Sequence, residues 1–341
     1  MNELNLLDCT LRDGGYTNDW MFGGRNITHV IEQLAAADVE LIECGYLTAK
    51  FPGSPDCARY NDFDAFRKVL PATAAAFARD GRLALMINFG EFPLAQLPSA
   101  TAESPVIRLA FHKRDLEAAL AYLKGLRDLG YRVFVQPMST QVYSAAEFSQ
   151  LVARAGECGP DAFYIVDSFG VLEGNEFSRY LMIADALLPA GVKLGYHGHN
   201  NLQQAAANAR FVAESPLAHP KVIDASVFGI GRGAGNLNIE LFAKYLNERH
   251  GKRYGVEGFL EIYDQVLKAI YERSPWGYSL PYYLSAMHRC HPNYAAYFAA
   301  KGKLGVQDMH RLLRAVPLAD RTAYTKDKAE RLYAEFSVHG H

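Results

Sequence analysis

Leu4-Asn-Leu-Leu-Asp8-Cys-Thr-Leu-Arg12-Asp13-Gly-Gly-Tyr16 is an apolar run that turns abruptly polar. It reads as a strand over residues 4–10 whose carboxyl end delivers Arg12 and Asp13. An open doubly wound nucleotide-binding sheet would follow its first strand with a Gly-x-Gly-x-x-Gly turn, and Gly-Gly-Tyr is not one. Working outward, the same alternation of β-rich and helical patterns recurs along the chain. Further strands are expected at 40–44, 83–88, 106–110, 132–136, 162–166, 193–197 and 222–227. Helical patterns fall at 26–37, 62–70, 115–129, 145–157, 176–188, 202–213 and 239–249, whereas 92–97 is short and broken by proline. Strands alternating with helices pair in parallel, and eight is the number that closes a barrel. The expected fold class is therefore α/β, a TIM (β/α)8 barrel over residues 1–250. A helical C-terminal domain over 251–341 follows, with aromatics Tyr278, Tyr282, Tyr283, Tyr294, Tyr297 and Phe298 in one stretch.

The bulk properties narrow the function. The chain has 341 residues, half of them hydrophobic and 21% charged, with a net charge of -2. This supports a large core and argues against a nucleic-acid partner, which calls for a basic face. No apolar run reaches membrane-spanning length, and the start has no basic region followed by an apolar one, so neither a membrane nor a secretory route is expected. Five cysteines, Cys9, Cys44, Cys57, Cys158 and Cys290, without Cys-x-x-Cys spacing, fit free thiols in the cytoplasm.

In this barrel class the chemistry lies at the carboxyl ends of the strands, and the polar motifs fall there. His197-Gly-His199-Asn-Asn ends the seventh strand. Residues two apart on extended backbone face the same side, so both imidazoles can share one ion, and Asp13 is the carboxylate placed to complete the set. Two imidazoles and one carboxylate suit Mn²⁺, Mg²⁺, Co²⁺ or Zn²⁺ and leave positions open for substrate oxygens. The alternative is that the histidines merely cap a strand end. A second His-x-His, His339 and His341, has no strand and no carboxylate partner and is expected to be exposed in the tail.

Other residues carry two readings each. Arg12 stabilises a developing enolate charge or forms an ion pair with Asp8 or Glu43. Ser168 bonds a substrate carboxylate or caps a helix. His112 lines the pocket or is structural. The loop Gly229-Ile-Gly231-Arg-Gly233-Ala-Gly235-Asn236 cradles an anion with its amides or uses glycine for a tight turn, and Asn236 is within reach of the site.

The segments LLDCTLRDGGY, YHGHNNL and DASVFGIGRGAGN, in this order, resemble the DRE-TIM metallolyases, most closely the 4-hydroxy-2-oxovalerate aldolases. The resemblance covers the barrel. It implies Asp13, His197 and His199 as metal ligands, with Mn²⁺ the expected ion. It also implies Arg12 as a catalytic residue, while Ser168, His112 and Asn236 are expected as substrate contacts from their places at the strand and loop ends. A tyrosine from the helical appendage lies over the site in the family, matched best by Tyr282 and next by Tyr278. The family's histidine base is replaced here by Tyr16. Free tyrosine titrates near ~10 against ~6.5 for histidine, so Tyr16 is read as a hydrogen-bonding group rather than a full base.

The resemblance implies cleavage or formation of a carbon–carbon bond of a 4-hydroxy-2-oxo acid, with a 2-oxo acid and an aldehyde as small-molecule partners. It also implies an aldehyde dehydrogenase as a protein partner and assembly as a homo-oligomer. Two alternatives are a Claisen-type acyl-CoA lyase or synthase on the same barrel, and a non-catalytic barrel that scaffolds a partner enzyme. A Schiff-base aldolase is disfavoured, because 162–166 offers no lysine and Lys193 lies at the wrong end of its strand.

Overall fold

A computed structural model describes residues 3–51 and 53–339. Eight parallel strands form a closed barrel: β1 (Leu4–Asp8), β2 (Leu41–Leu47), β4 (Leu83–Asn88), β5 (Val106–Phe111), β6 (Val133–Pro137), β7 (Ala162–Asp167), β8 (Lys193–Gly198) and β9 (Lys221–Ala225). Pairing of β1 with both β9 and β2 closes the ring. The short β3 (Arg59–Tyr60) lies outside it, paired with β2. The sequence pattern does not mark this two-residue strand, which needs only the open edge of β2 beside it.

Helices follow the strands as the pattern predicts, with shifts at their ends. The helix expected at 26–37 spans Gly24–Ala36, and the one expected at 62–70 stops at Arg67, with a further helix at Ala74–Arg79. Asp62 caps the former by accepting from the Ala65 amide, and Pro71 blocks its continuation. The stretch 92–97 holds only a single 3-10 turn, Leu94–Gln96.

Strand alternation sorts side chains into two layers. Ile42, Ile107, Leu109, Val135, Phe163, Leu194 and Ile223 point outward and pack under the helices. Leu7, Leu41, Ala84, Val106, Phe134, Ala162, Tyr164 and Val222 fill the barrel interior as a separate apolar plug. At roughly 25 cal/mol per Å² of apolar surface, these two layers supply most of the driving force for closure. The positions two residues beyond Leu41, Val106 and Val222 are Glu43, Arg108 and Asp224, all buried. The interior is thus apolar below, ionic above, and open at the top.

Across residue 250 the main cluster continues: Tyr254, Phe259, Ile262, Val266, Leu267, Ile270 and Trp276 pack with the barrel. A second cluster of Leu284, Cys290, Tyr294, Phe298, Met309, Leu312 and Leu313 belongs to the helices from Leu280–Met287 onward. This appendage sits at the carboxyl end of the barrel. Arg289 grips Glu176 with two hydrogen bonds of 3.0 and 2.7 Å, and Ala286 packs on Phe169 and Val171. The last helix is described over Lys326–His339, and the expected exposure of the second His-x-His falls on the His339 side chain and on His341, both outside what is described. Among the described residues no helix is long and apolar enough to cross a membrane.

Candidate metal centre and active site

The strand expected over 4–10 stops at Asp8. The Asp8 carboxylate accepts from the Thr10 amide at 2.9 Å and the Thr10 hydroxyl at 2.7 Å, which turns the chain into one helical turn, Thr10–Asp13. The Asp13 amide closes that turn on the Cys9 carbonyl at 2.8 Å. Asp13 is therefore set by a turn that the Asp8 carboxylate starts and not by the strand end itself, and a local carboxylate–amide bond is what competes with the ladder there.

Asp13, His197 and His199 come together. His197 Nε2 lies 3.1 Å and His199 Nε2 3.6 Å from Asp13 Oδ2, and the two rings stand nearly perpendicular with centroids 5.3 Å apart. All three are buried, and their ligand atoms lie within 4.8 Å of one another. The opposite nitrogens fix the tautomers. His197 Nδ1 faces Asp224 Oδ2 at 3.0 Å and His199 Nδ1 faces the Gly235 carbonyl at 3.3 Å. Both partners accept only, so each Nδ1 carries a proton and each Nε2 is the nitrogen turned to the centre.

This arrangement fits a divalent ion on its own terms. Asp13 Oδ1 is buried and has no hydrogen-bond partner. Burial works to raise the Asp13 carboxyl, but the Arg12 guanidinium and the two imidazoles outweigh it and hold it well below the carboxylate range. Burial pushes His199 down to about 3, which keeps it a neutral donor. Burial works to lower His197, but its hydrogen bonds to Asp13 and Asp224 outweigh it and raise it; an ion taking the place of its Nε2 proton would complete a set of one carboxylate and two imidazoles, the donor set of a divalent transition ion.

Beneath the triad runs an ionic layer. Arg12 Nε bonds Glu43 at 2.8 Å and its Nη1 bonds Asp13 at 2.8 Å. Arg108 bonds Glu43 at 2.6 Å and also Asp224. Glu43 is thus the partner of Arg12, and Asp8 is not. Arg12 also lines the pocket, so its ion pair and its place at the site coexist. Asp224 links this layer to His197. Asp224→Asn is expected to weaken divalent-ion affinity about 10- to 100-fold, the scale on which such outer partners act. Chelator competition on a variant with an unchanged circular dichroism spectrum checks it, and unchanged affinity would remove Asp224 from the centre.

The cavity above the triad, of about 60 Å³, is lined by Arg12, Asp13, Tyr16, Ser168, His197, His199 and Arg232 among others. Tyr16 is 44% exposed at its mouth, and its hydroxyl lies 3.1 Å from that of Tyr46. Ser168 Oγ accepts from the Ser139 amide at 2.9 Å. Asn236 is buried with its amide nitrogen on the Ile230 carbonyl at 2.9 Å and its Oδ1 unpartnered. His112 stands exposed just past β5 and outside the cavity wall. Tyr282 packs over Gly233 of the glycine loop, whereas Tyr278 is 58% exposed.

The glycine loop is a tight turn. The amides of Gly229, Ile230, Gly235 and Asn236 are spent on Ser226, Val227, Arg232 and Gly229 carbonyls. At Gly231 a Cβ would meet Asn236 Nδ2 at 2.3 Å and Asp13 Oδ1 at 3.3 Å, so the absence of a side chain there leaves the free Asp13 oxygen unobstructed. No lysine lines the cavity, and Lys193 pairs with Glu3 at 3.1 Å. Sequence reading missed Arg108, Asp224, Tyr46 and Arg232. For Arg108 and Asp224 the available signal was a charged residue inside an apolar strand, which must be paired if buried.

Against known proteins, the family model HMGL-like matches residues 3–264. An oxaloacetate decarboxylase of Mycobacterium tuberculosis is 27% identical, over 81% of this chain and 79% of its own length. A 4-hydroxy-2-oxovalerate aldolase of Streptomyces griseus is 29% identical, over 75% and 74%. The N-terminal domain of a Bacteroides vulgatus protein superimposes with a TM-score of 0.72 at 26% identity, covering 87% of this chain and 96% of that one. The chain belongs to the HMGL-like family.

Proposed function

We propose that this HMGL-like chain is a divalent-metal-dependent aldolase that forms or cleaves a carbon–carbon bond of a 4-hydroxy-2-oxo acid, with Mn²⁺ as the ion. Its place among aldolases and lyases follows from its family and relatives. The observation that supports the finer reading is the buried convergence of Asp13, His197 and His199 with Arg12 on one cavity. A divalent ion held by these three supplies Lewis acidity toward the carboxylate and keto oxygens of a 2-oxo acid.

The chain's own groups do the rest. Arg12, held flat by Glu43 and Asp13, presents positive charge where an enolate oxygen gains its negative charge. Its two ion pairs pre-orient it, so no reorganisation is required as charge develops. Ser168 lines the same cavity as a hydrogen-bonding group for substrate oxygens; Asn236, off the cavity wall beside Gly231, has an unpartnered Oδ1 for the same role, and Tyr282 covers the glycine loop. Tyr16, at the mouth, hydrogen-bonds the substrate's 4-hydroxyl and passes its own proton contact to Tyr46. Burial holds the Tyr46 phenol well above its ordinary value, so Tyr46 stays neutral and serves the pair as a hydrogen-bond partner. Homo-oligomeric assembly and a partner aldehyde dehydrogenase remain part of this reading.

The test is incubation of the Mn²⁺-loaded protein with pyruvate in D₂O, followed by mass spectrometry. Methyl-proton exchange is expected without any aldehyde, and a protein that holds its ion yet exchanges no proton overturns the reading. Within it, Tyr16→Phe is expected to lose activity on the order of 10- to 10²-fold while keeping its ion. A Phe variant with full aldol activity would place Tyr16 outside the reaction.

A further inference from the structure

Arg232 is a cation in the cavity that forms no ion pair among the described residues. It lies in the loop after β9, between Gly231 and Gly233, and reaches across the mouth, where its Nη2 donates to the Ser168 carbonyl after β7 at 3.1 Å. Its guanidinium carbon stands 5.5 Å from the Tyr16 ring centroid, and it lines the same cavity as Asp13, His197 and His199. Among the described residues no ion pair involves it, unlike Arg12 and Arg108, which both have carboxylate partners. The titratable groups that feel its charge are His112, His199, His291 and Tyr282, none of them anionic near neutrality.

Charge balance gives this meaning. In the linked network two guanidiniums, Arg12 and Arg108, face three carboxylates, Asp13, Glu43 and Asp224, leaving one negative charge. A divalent ion at the triad turns that into one positive charge, and Arg232 makes two. Before any enolate forms, a bound substrate with a single carboxylate leaves one positive charge uncompensated, whereas a dicarboxylate balances it. A partly buried guanidinium without a counter-ion is costly, and its free edge is a planar fork shaped for a carboxylate.

We infer that Arg232 recognises a second carboxylate, carried on the aldehyde-derived half of the substrate, and restricts the enzyme to dicarboxylic hydroxy-oxo acids. This deepens the reading above and rests on it. The first carboxylate and keto oxygen engage the triad and Arg12, so the second anion sits on the opposite rim, between Arg232 and Tyr16. The aldehyde partner is then itself an acid.

Calorimetric titration of the Mn²⁺-loaded protein tests this with matched pairs of unreactive 2-oxo acids: 2-oxoglutarate against 2-oxopentanoate, and 2-oxoadipate against 2-oxohexanoate. Two chain lengths bracket the reach from triad to guanidinium. The diacid of at least one pair is expected to bind at least about 10-fold more tightly, as a charge-assisted contact in a sheltered site does. Arg232→Gln should bring that ratio close to one, and Arg232→Lys should keep part of it. A wild-type ratio near one at both lengths, or a ratio unchanged in Arg232→Gln, overturns the inference. So does tighter binding of 2-oxo-4-phosphonobutyrate than of either diacid, which would make the subsite one for phosphate. Binding of the monoacids without a diacid preference leaves the aldolase reading standing and removes only this inference. Binding of no 2-oxo acid at all removes both.

Discussion

His199→Ala leaves the protein folded but unable to retain a divalent ion, and pyruvate methyl exchange falls to background. Of the three ligands, His199 gives the cleanest test. Its Nδ1 bonds only a backbone carbonyl, that of Gly235 at 3.3 Å, so its removal strands no buried charge. His197→Ala also empties the site, but it takes a partner from Asp224, and Asp13→Asn takes one from Arg12. With one of three ligands gone, affinity is expected to fall by more than the ~10- to 100-fold that loss of an outer partner costs. Metal analysis after dialysis, alongside a thermal transition near that of the wild type, reads the result. The wild type should hold about one ion per chain. An Ala variant that keeps a full ion places the metal elsewhere and sinks the assignment.

Arg12→Lys is expected to hold its ion and lose at least ~10²-fold in exchange rate, the cost of one oxyanion-stabilising donor. The reason is geometric. Arg12 is 5% exposed and uses Nε for Glu43 and Nη1 for Asp13, both at 2.8 Å. A single ammonium on a flexible stem cannot satisfy both carboxylates and still present a fixed flat edge to the cavity. All three ligand side chains are still present in this variant, so retained metal content separates it from the ligand variants. An exchange rate equal to that of the wild type would confine Arg12 to its ion pairs.

Much of this protein was legible in the order of its residues. The repeated alternation of strand and helix set the barrel class, because the two periodicities are local properties of the chain and the number of strands limits how a parallel sheet can end. His197 and His199 were legible as a pair for the same reason: two residues apart on a strand, they share a face whatever surrounds them. The motifs around Asp13 and the glycine loop were legible as a family pattern.

What the order of residues did not decide is everything that depends on where the barrel closes. Glu43, Arg108 and Asp224 stand on β2, β5 and β9, and their meeting requires the register of the whole ring. An arginine among Val, Ile, Leu, Ala and Phe announces that it needs a partner but not which one. Asp13 came to the centre through a turn started by Asp8 rather than along a strand, because a short carboxylate–amide contact ended the ladder two residues early. Arg232 was visible only as one letter in a glycine loop. Its direction across the mouth, onto the Ser168 carbonyl and into no ion pair among the described residues, was set by the packing of two loops 64 residues apart. Local sequence fixes periodicity and facing, and long-range closure fixes which charges are neutralised and which is left for a ligand.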